Sequence, residues 1–458
     1  MLFSSTLIIN YFLALILVIY FIMPLKYKNL VLLVFSMLFY FLGEPKYIIV
    51  LILSCVINYY ISKQLSKNKS KFLLWIAIIY NVGQLLIFKY TDFFISNINN
   101  LFNIDLPLLY IVMPIGISFF TFQALSYVID VYNNRHKPAK DLATFATYLT
   151  LFPQLIAGPI VRYSDVANEM ESRTHSFNNF AEGVKRFIIG LSKKVLLANV
   201  IGEFTKSFVT STVIASWLKP IGYTLQIYFD FSGYSDMAIG LGLMFGFHFL
   251  ENFNYPLIAS SITDFWRRWH ISLSSWFKDY IYIPLGGNRV KFIKWIRNIF
   301  VVWFLTGFWH GASWNFILWG VYFGVILVIE KLLLKKHLDK TYVTKHIYSL
   351  VIIVISFLIF NSNSLAEIGT ELKNMFGLNG IDFINQETIY YIKDYLVILI
   401  IACIAATPLF KNVIIKLRNT KFNKVINVLE PIVLIALLFV CTAFLVDESF
   451  NPFLYFRF

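Results

Sequence analysis

Long apolar runs alternate with short polar stretches along almost the whole chain. The runs are rich in Leu, Ile, Phe and Val and cover residues 7–23, 29–42, 47–61, 72–88, 108–131, 187–200, 221–249, 296–308, 314–329, 347–360, 395–409 and 428–446. Because a helix needs roughly 20 apolar residues to cross a bilayer, and some runs are shorter or broken by Gly and Pro, we expect about 11 to 13 membrane-spanning or re-entrant helices. The pattern therefore predicts an all-α integral membrane protein.

The composition agrees with this prediction. Hydrophobic residues make up 58% of the 458 residues and charged residues only 14%, and the mean hydropathy is +0.69, which no single soluble core could accommodate. The three cysteines show no pairing or metal-ligand spacing, and the chain has no P-loop and no dinucleotide-binding glycine pattern. A zinc enzyme, an ATPase and a reductase each lack their required motif, and no metal is expected.

The net charge of +14 is best explained by membrane topology. Lys and Arg cluster in short loops between the runs, at residues 26–28, 63–71, 135–140, 331–340 and 411–424, and alternate with acidic or polar stretches. Such clusters mark cytoplasmic loops. We therefore expect both termini outside the cytoplasm, lipids around the chain and no nucleic-acid partner.

Chemistry-bearing residues are concentrated in the middle of the chain. Residues 1–107 form plain apolar spans, whereas residues 108–330 contain nearly every intramembrane Asp, Arg, His and Gln, and residues 331–458 add further spans and an extracytoplasmic tail that ends in FLYFRF. No linker separates soluble domains, so we expect one integral domain over residues 1–458. Polar groups at membrane depth are tolerated where protein or water covers them, so the middle section should enclose a cavity.

Two blocks of this section combine helix breakers with polar groups. In MPIGISFFTFQ (residues 113–123), Pro and Gly predict a kinked helix whose Ser, Thr and Gln side chains line a polar path or pack between helices. In FPQLIAGPIVR (residues 152–162), two prolines prevent a continuous helix, so a re-entrant segment bearing Gln154 and Arg162 is expected. An ordinary interfacial turn is the alternative for the second block.

Two carboxylates, Asp230 and Asp236, stand in a segment otherwise suited to lipid. Each requires a partner, and Arg162, Arg267 or Arg268 could supply one. Two functions remain open for these carboxylates. They either line a channel or form ion pairs that hold helices in register.

Two histidines stand in tryptophan-rich apolar segments. His270 belongs to DFWRRWHISLSSWFKDY (residues 264–280), a block that also fits an amphipathic interfacial helix, and His310 follows Trp309 in WHG. An ionisable group at membrane depth is costly and is usually functional. Since imidazole can accept a hydroxyl proton at neutral pH, and no Gly-x-Ser-x-Gly elbow is present, His310 is a candidate general base for acyl transfer to an alcohol.

Several strings together resemble the membrane-bound O-acyltransferase family. They are FWRRWHISLSSWFKDYIYIPLGGNR (residues 265–289), the WHG triplet, residues 154–162 and 231–237, and the ending NPFLYFRF. The chain is most similar to the membrane subunits of alginate and peptidoglycan O-acetylation, and more distantly to the subunit of teichoic-acid D-alanylation. The resemblance implies that His310 is catalytic, that His270 is an essential companion, and that the helices form a ring around a central funnel.

The tail FLYF resembles a motif that a separate small partner supplies in the D-alanylation system. The resemblance implies that Tyr455 offers its hydroxyl to the funnel as an acyl relay, and the charge pattern independently puts this tail outside. An aromatic belt at the membrane surface is the alternative.

The combined expectation is an acyltransferase of the bacterial cytoplasmic membrane. It would move acetyl from cytoplasmic acetyl-CoA to a hydroxyl, and finally to an exported polysaccharide such as alginate or peptidoglycan, with a periplasmic or membrane-anchored acetyltransferase of the SGNH type as partner. Asp230, Asp236, Gln154, Arg162, Arg267, Arg268 and Trp309 would line the channel. The alternatives are D-alanyl transfer from a carrier protein and a non-enzymatic transporter.

Overall fold

The computed structural model describes residues 5, 7–156, 158–447 and 454, which form helices and no β-strand. Two compact units are present. The first is Met1–Phe187 with Ser235–Leu250, and the second is Ile188–Tyr234 with Glu251–Phe458. The all-α prediction is confirmed, whereas the ring around a funnel and the single integral domain stay predictions.

The helices follow the apolar runs of the sequence. They are α1 (Leu13–Ile22), α2 (Lys28–Gly43), α3 (Ile48–Lys67), α4 (Lys71–Leu85), α5 (Thr91–Phe102), α6 (Ile117–Tyr132), α7 (Leu142–Thr150), α8 (Phe152–Leu155), α9 (Tyr163–Glu171), α10 (Phe177–Ser192), α11 (Val200–Ser207), α12 (Val213–Met244), α13 (Ile262–Arg268), α14 (Ile271–Phe277), α15 (Phe292–His310), α16 (Trp314–Ile329), α17 (Lys335–Leu338), α18 (Thr344–Asn361), α19 (Leu365–Met375), α20 (Gln386–Ala405), α21 (Leu409–Arg418) and α22 (Asn423–Asp447). Wide π-helical turns join or extend several of them, at Ile8–Phe12, Leu86–Tyr90, Lys193–Asn199, Lys278–Tyr282 and Glu330–Leu334, and 3-10 turns lie at Leu25–Tyr27 and Pro256–Ile258.

Seven helical segments of the described chain are long and apolar enough to cross a membrane. They are Leu25–Gly43, Ile48–Lys67, Lys71–Phe102, Trp314–Leu338, Thr344–Asn361, Gln386–Ala405 and Asn423–Asp447, and two shorter apolar helices are Ile8–Ile22 and Ile117–Tyr132. Helix α22 shows why, since its 25 residues span roughly 37 Å against a hydrocarbon core of roughly 30 Å. Its Ile435 and Phe439 are 68% and 75% exposed, as lipid-facing side chains are. The chain is a multi-pass membrane protein.

Amide side chains join two spans of the first unit. Asn58 of α3 and Asn81 of α4 exchange hydrogen bonds, with Nδ2 to Oδ1 distances of 3.2 and 2.7 Å. Hydrogen bonds of this kind hold spans together because lipid offers no competing partner.

The block around Pro114 differs from its prediction. Gly116, with a φ of 76°, is the N-cap residue of α6, which begins at Ile117. Pro114 and Gly116 therefore precede the helix and do not kink it. The break predicted for residues 152–162 is confirmed, since α8 ends at Leu155 and irregular backbone follows among the described residues.

Candidate active site

His310 ends α15 inside the second unit and is only 5% exposed. Its ring centroid lies 4.9 Å from that of Trp309, 5.0 Å from Trp319 and 5.3 Å from Phe360. The His310 imidazole is thus in contact with several aromatic side chains.

A close contact between α15 and α16 sets the position of this histidine. A Cβ atom on Gly307 would lie 2.3 Å from the backbone oxygen of Phe316, and one on Gly320 would lie 2.2 Å from that of Trp303. Only glycine fits at either position, so the two helix backbones approach closely, as small residues permit in membrane helices. This contact brings Trp319 of α16 onto the imidazole.

His270 lies between the short helices α13 and α14 and is 1% exposed. Its φ of 44° is a left-handed conformation that is uncommon for a non-glycine residue and that often marks a functional position. The Oδ1 atom of Asn252 lies 3.2 Å from His270 Nδ1 and also accepts a hydrogen bond from Ser272 Oγ at 2.8 Å. Since an amide oxygen only accepts, Nδ1 carries the hydrogen and Nε2 keeps its lone pair in the neutral ring.

The side chains of both histidines lie next to Trp309. The His270 ring centroid lies 6.3 Å from that of Trp309, on which His310 also packs. The other side of His270 contacts Phe231, at 4.7 Å between ring centroids. The second unit thus places two buried imidazoles next to one indole.

The tryptophan block is buried, so the amphipathic interfacial helix is wrong as an alternative. Trp266, Trp269 and Trp276 are 8%, 5% and 4% exposed, and the left-handed residue His270 splits the block into two helices. Trp266 and Trp269 belong to an aromatic cluster that also contains Trp319. The block forms core rather than membrane surface.

Glu330 fixes the start of α13. Its carboxylate accepts hydrogen bonds from the backbone N–H groups of Ile262 and Thr263, at 2.6 and 3.0 Å, and from the Thr263 hydroxyl at 2.8 Å. A carboxylate at a helix N-terminus satisfies otherwise unpaired N–H groups and complements the helix dipole. Glu330 thereby positions the helix that leads into His270.

Asp230 forms an ion pair with Lys194, which was not among the partners expected from the sequence. Its Oδ1 lies 2.6 Å from Lys194 Nζ, and both side chains are 2% exposed. Lys194 lies in the π-helical turn Lys193–Asn199, a type of turn that is frequent at functional sites. The other oxygen, Oδ2, accepts the backbone N–H of Leu454 at 2.9 Å.

The tail therefore reaches the core of the second unit at Leu454. This residue is 5% exposed and belongs to the aromatic cluster that includes Trp319 and Phe360, the rings that contact His310. Tyr455 lies outside the described residues.

The cations paired with the two aspartates are not the arginines named from the sequence. Asp236 pairs with Arg186, at 2.9 Å between Oδ1 and Nη2. Arg268 pairs with Asp264, at 2.9 Å between Nε and Oδ1, and Arg267 is exposed. Lys194 lies within the apolar run at residues 187–200 and Arg186 directly precedes that run, so both charges were visible in the sequence, but neither had been considered as a partner.

The remaining candidates lie in the first unit, with Asp236. Gln154 is fully buried, donates from Nε2 to the Tyr148 backbone oxygen at 2.7 Å, and has no hydrogen-bond donor to its Oε1 among the described residues. The backbone N–H of Arg162 donates to Asp165 Oδ2 at 3.0 Å. A buried amide oxygen without a donor requires water or a ligand group, so Gln154 remains a candidate for lining a polar path.

Together the residues of the second unit provide a buried imidazole among aromatic rings, a second buried imidazole held by Asn252, and a buried carboxylate that accepts the Leu454 N–H. No cluster of three metal-ligating side chains occurs in the part of the chain that the structure describes. Such a site suits proton transfer coupled to acyl transfer.

Comparison with known proteins identifies the class of protein. The model of the membrane-bound O-acyltransferase family matches residues 45–362, a segment that contains both histidines and Asp230. The match covers more than half of the chain, and the chain therefore belongs to this family. The resemblance predicted from the motifs is confirmed, and the protein is a membrane-embedded acyltransferase.

Individual relatives refine this assignment. A probable alginate O-acetylase of Azotobacter vinelandii is 39% identical over 378 residues, which cover 80% of this chain and 76% of the relative. The peptidoglycan O-acetyltransferase of Helicobacter pylori is 35% identical over 406 residues, 79% of this chain and 77% of the relative. A teichoic acid D-alanyltransferase of Bacillus subtilis is 29% identical over 229 residues, 46% of this chain and 58% of the relative, as expected for a more distant relation.

Proposed function

We propose that this acyltransferase moves acetyl from cytoplasmic acetyl-CoA to a hydroxyl acceptor, for O-acetylation of a polysaccharide outside the cytoplasm. The observation that carries the proposal is the burial of His310 among aromatic rings, with His270 on the same indole. Two relatives that match about four fifths of the chain are named for alginate and peptidoglycan O-acetylation. Their names support acetyl as the transferred group and an extracytoplasmic glycan as its destination.

His310 acts as the general base. Its imidazole accepts the proton of the acceptor hydroxyl while the hydroxyl oxygen attacks the thioester carbonyl carbon. The carbon–sulfur bond of the resulting adduct then breaks, and the imidazolium returns the proton to the leaving thiolate. The products are an acetyl ester and free coenzyme A, and a histidine suits both proton transfers because its pKa is ordinarily near neutrality.

His270 orients the acceptor. Its Nδ1–H is held by Asn252, so its Nε2 lone pair can accept a hydrogen bond from the incoming hydroxyl. The indole of Trp309 packs against both the His270 imidazole and the His310 imidazole. Gln154, Arg162, Asp236, Arg267 and Arg268 contribute polar groups along the path of the substrate or at its mouth.

The tail supplies the first acceptor, Tyr455. Its neighbour Leu454 is buried in the second unit and donates its backbone N–H to Asp230. Asp230 thus positions the tail, and the contact with Lys194 orients the carboxylate. Acetyl on the tyrosine oxygen then passes to a partner of the SGNH acetyltransferase type or directly to the polysaccharide.

The protein operates in the bacterial cytoplasmic membrane with both termini outside. The loop lysines and arginines face the cytoplasm, where they attract the phosphates of coenzyme A through charge-assisted contacts. Acetyl-CoA thus binds on the cytoplasmic side of the membrane, and the tail accepts acetyl on the opposite side.

The test uses purified protein and radiolabelled acetyl-CoA. We expect His310→Gln, which retains a polar side chain of similar size, to lower acetyl transfer about 10²- to 10⁴-fold while membrane insertion is unchanged. The matched control is His337→Gln, an exposed histidine on α17, which should keep full activity. Retention of more than about a tenth of the activity in His310→Gln would refute the general-base function.

The same assay separates the alternatives. If the protein transfers D-alanyl from a carrier protein and does not turn over acetyl-CoA, the transferred group is D-alanyl and not acetyl. Inertness toward both donors, together with substrate-stimulated flux across a membrane, would indicate a transporter.

A further inference from the structure

A group of cations in the first unit has no acidic partner. Lys28, at the start of α2, is 7% exposed, and its ammonium makes no hydrogen bond and no ion pair with another side chain among the described residues. Its Nζ instead lies 4.5 Å from the ring centroid of Tyr20 and 5.0 Å from that of Phe21. A buried ammonium held only by aromatic rings keeps most of its positive charge available for an anion.

Arg173, between α9 and α10, adds a second charge. Its guanidinium donates to neutral groups, from Nε to Tyr20 Oη at 2.8 Å and from Nη1 to Asn29 Oδ1 at 2.6 Å. The acidic side chain of Glu169 is engaged elsewhere, since its Oε1 lies 2.6 Å from His248 Nδ1. The charge of Arg173 is therefore not neutralised by a carboxylate among the described residues.

His175 completes the group. The Tyr20 hydroxyl donates its hydrogen to the Phe245 backbone oxygen at 2.7 Å, so His175 Nε2, 2.9 Å away, must be the donor in that contact. Burial lowers the pKa of His175 from its usual value, and the nearby charges of Lys28 and Arg173 lower it further. The imidazole of His175 is thus uncharged at neutral pH and stands beside the two cationic side chains.

An apolar groove opens beside these cations. It has a volume of about 370 Å³ and is lined by Phe21, His175, Ser176, Phe177 and Phe180. Phe177 is 84% exposed, and the end of α1 continues the apolar surface with Phe21 and Ile22, which are 43% and 75% exposed. An exposed apolar surface at the end of the apolar helix α1 is suited to contact with lipid.

We infer that Lys28 and Arg173 form a binding site for the phosphate of an anionic phospholipid, whose acyl chains lie along the aromatic groove that His175 borders. Uncompensated cations match the phosphate, and the apolar surface that leads from the groove to the end of α1 matches the chains. A free nucleotide phosphate would use the cations but not this lipid-facing surface. The inference does not depend on the proposed acetyl transfer.

The test counts lipids on the full-length protein by native mass spectrometry after reconstitution in phosphatidylcholine with phosphatidylglycerol. We expect the wild type to retain one phosphatidylglycerol in preference to phosphatidylcholine. Lys28→Gln should weaken this retention about fivefold or more, since a basic residue near the surface contributes about 1 kcal/mol toward an anionic lipid, whereas Lys28→Arg should restore it.

Lys26→Gln is the matched control, because Lys26 is exposed two residues away on the same segment and should leave retention unchanged. Thermal unfolding in detergent verifies that each variant is folded. Equal retention in Lys28→Gln and wild type would overturn the site. Displacement of the lipid from the wild type by adenosine 3′,5′-bisphosphate, with binding of that nucleotide lost in Lys28→Gln, would overturn the lipid assignment in favour of a nucleotide phosphate.

Discussion

The buried pair of Lys194 and Asp230 can be dissected because the carboxylate makes two different contacts. One oxygen contacts the ammonium at 2.6 Å, and the other accepts the Leu454 N–H at 2.9 Å. Lys194→Met alone leaves a carboxylate that is 2% exposed without its cation. We expect this variant to lose about 3–5 kcal/mol of stability, the usual cost of breaking a buried ion pair.

Two double variants remove the charges together and differ in one hydrogen bond. Lys194→Met with Asp230→Asn keeps an oxygen that can accept the Leu454 N–H, whereas Lys194→Met with Asp230→Leu does not. Both should recover most of the stability lost by the single variant, because a neutral pair carries no uncompensated charge. The leucine variant leaves a buried N–H unsatisfied at a cost of about 1–3 kcal/mol, which corresponds to a decrease of about 5- to 150-fold in the equilibrium constant between bound and unbound tail.

The assay combines thermal unfolding in detergent with transfer of labelled acetyl to an external acceptor. We expect the asparagine double variant to transfer acetyl at a rate close to that of the wild type, and the leucine double variant to lose transfer in proportion to the unbound tail. Equal transfer by the two double variants would refute the argument that Asp230 positions the tail for catalysis.

Three further predictions concern the remaining parts of the site. His270→Ala should lower both activity and melting temperature, because the side chain packs on Phe231 and Trp309; an equally stable and active variant would contradict its function in the site. Tyr455→Phe should insert normally and bind the donor, since only the hydroxyl is removed, but it should lose acetyl transfer, and mass spectrometry should no longer detect an acetylated C-terminal peptide. Full activity of this variant would mean that acetyl passes directly to the partner without an intermediate on Tyr455. Binding of coenzyme A should weaken as salt rises, because screening acts over roughly 8 Å at physiological ionic strength, and an affinity independent of salt would argue against phosphate recognition by the loop cations.

Hydropathy predicted much of the fold. Each of the seven long apolar helices corresponds to one predicted run, and the runs at residues 7–23 and 108–131 correspond to the two shorter apolar helices. The runs at 187–200 and 296–308 are helical as well, and the run at 221–249 is helical up to Met244. These helices are not among the seven long apolar segments, and in α12 the polar side chains of Asp230 and Asp236 lower the mean hydropathy.

The partners within the site were harder to predict. The motifs indicated both histidines, but which cation meets Asp230 depends on how a π-helical turn rotates Lys194 inward. No sequence pattern indicates that Asn252 accepts a hydrogen bond from His270, because this contact arises from the left-handed turn at His270. Sequence periodicity describes one helix face at a time, whereas these contacts depend on the register between segments far apart in the chain.

The contact between Asp230 and Leu454 is made through the backbone, and this has a practical consequence for protein engineering. Recognition through an N–H group does not depend on the side chain at position 454 for its hydrogen bond, yet proline is excluded there because it has no N–H to donate. A substitution at this position therefore changes how the side chain packs while the hydrogen bond to Asp230 is kept, and Leu454→Pro is a change that removes that hydrogen bond directly.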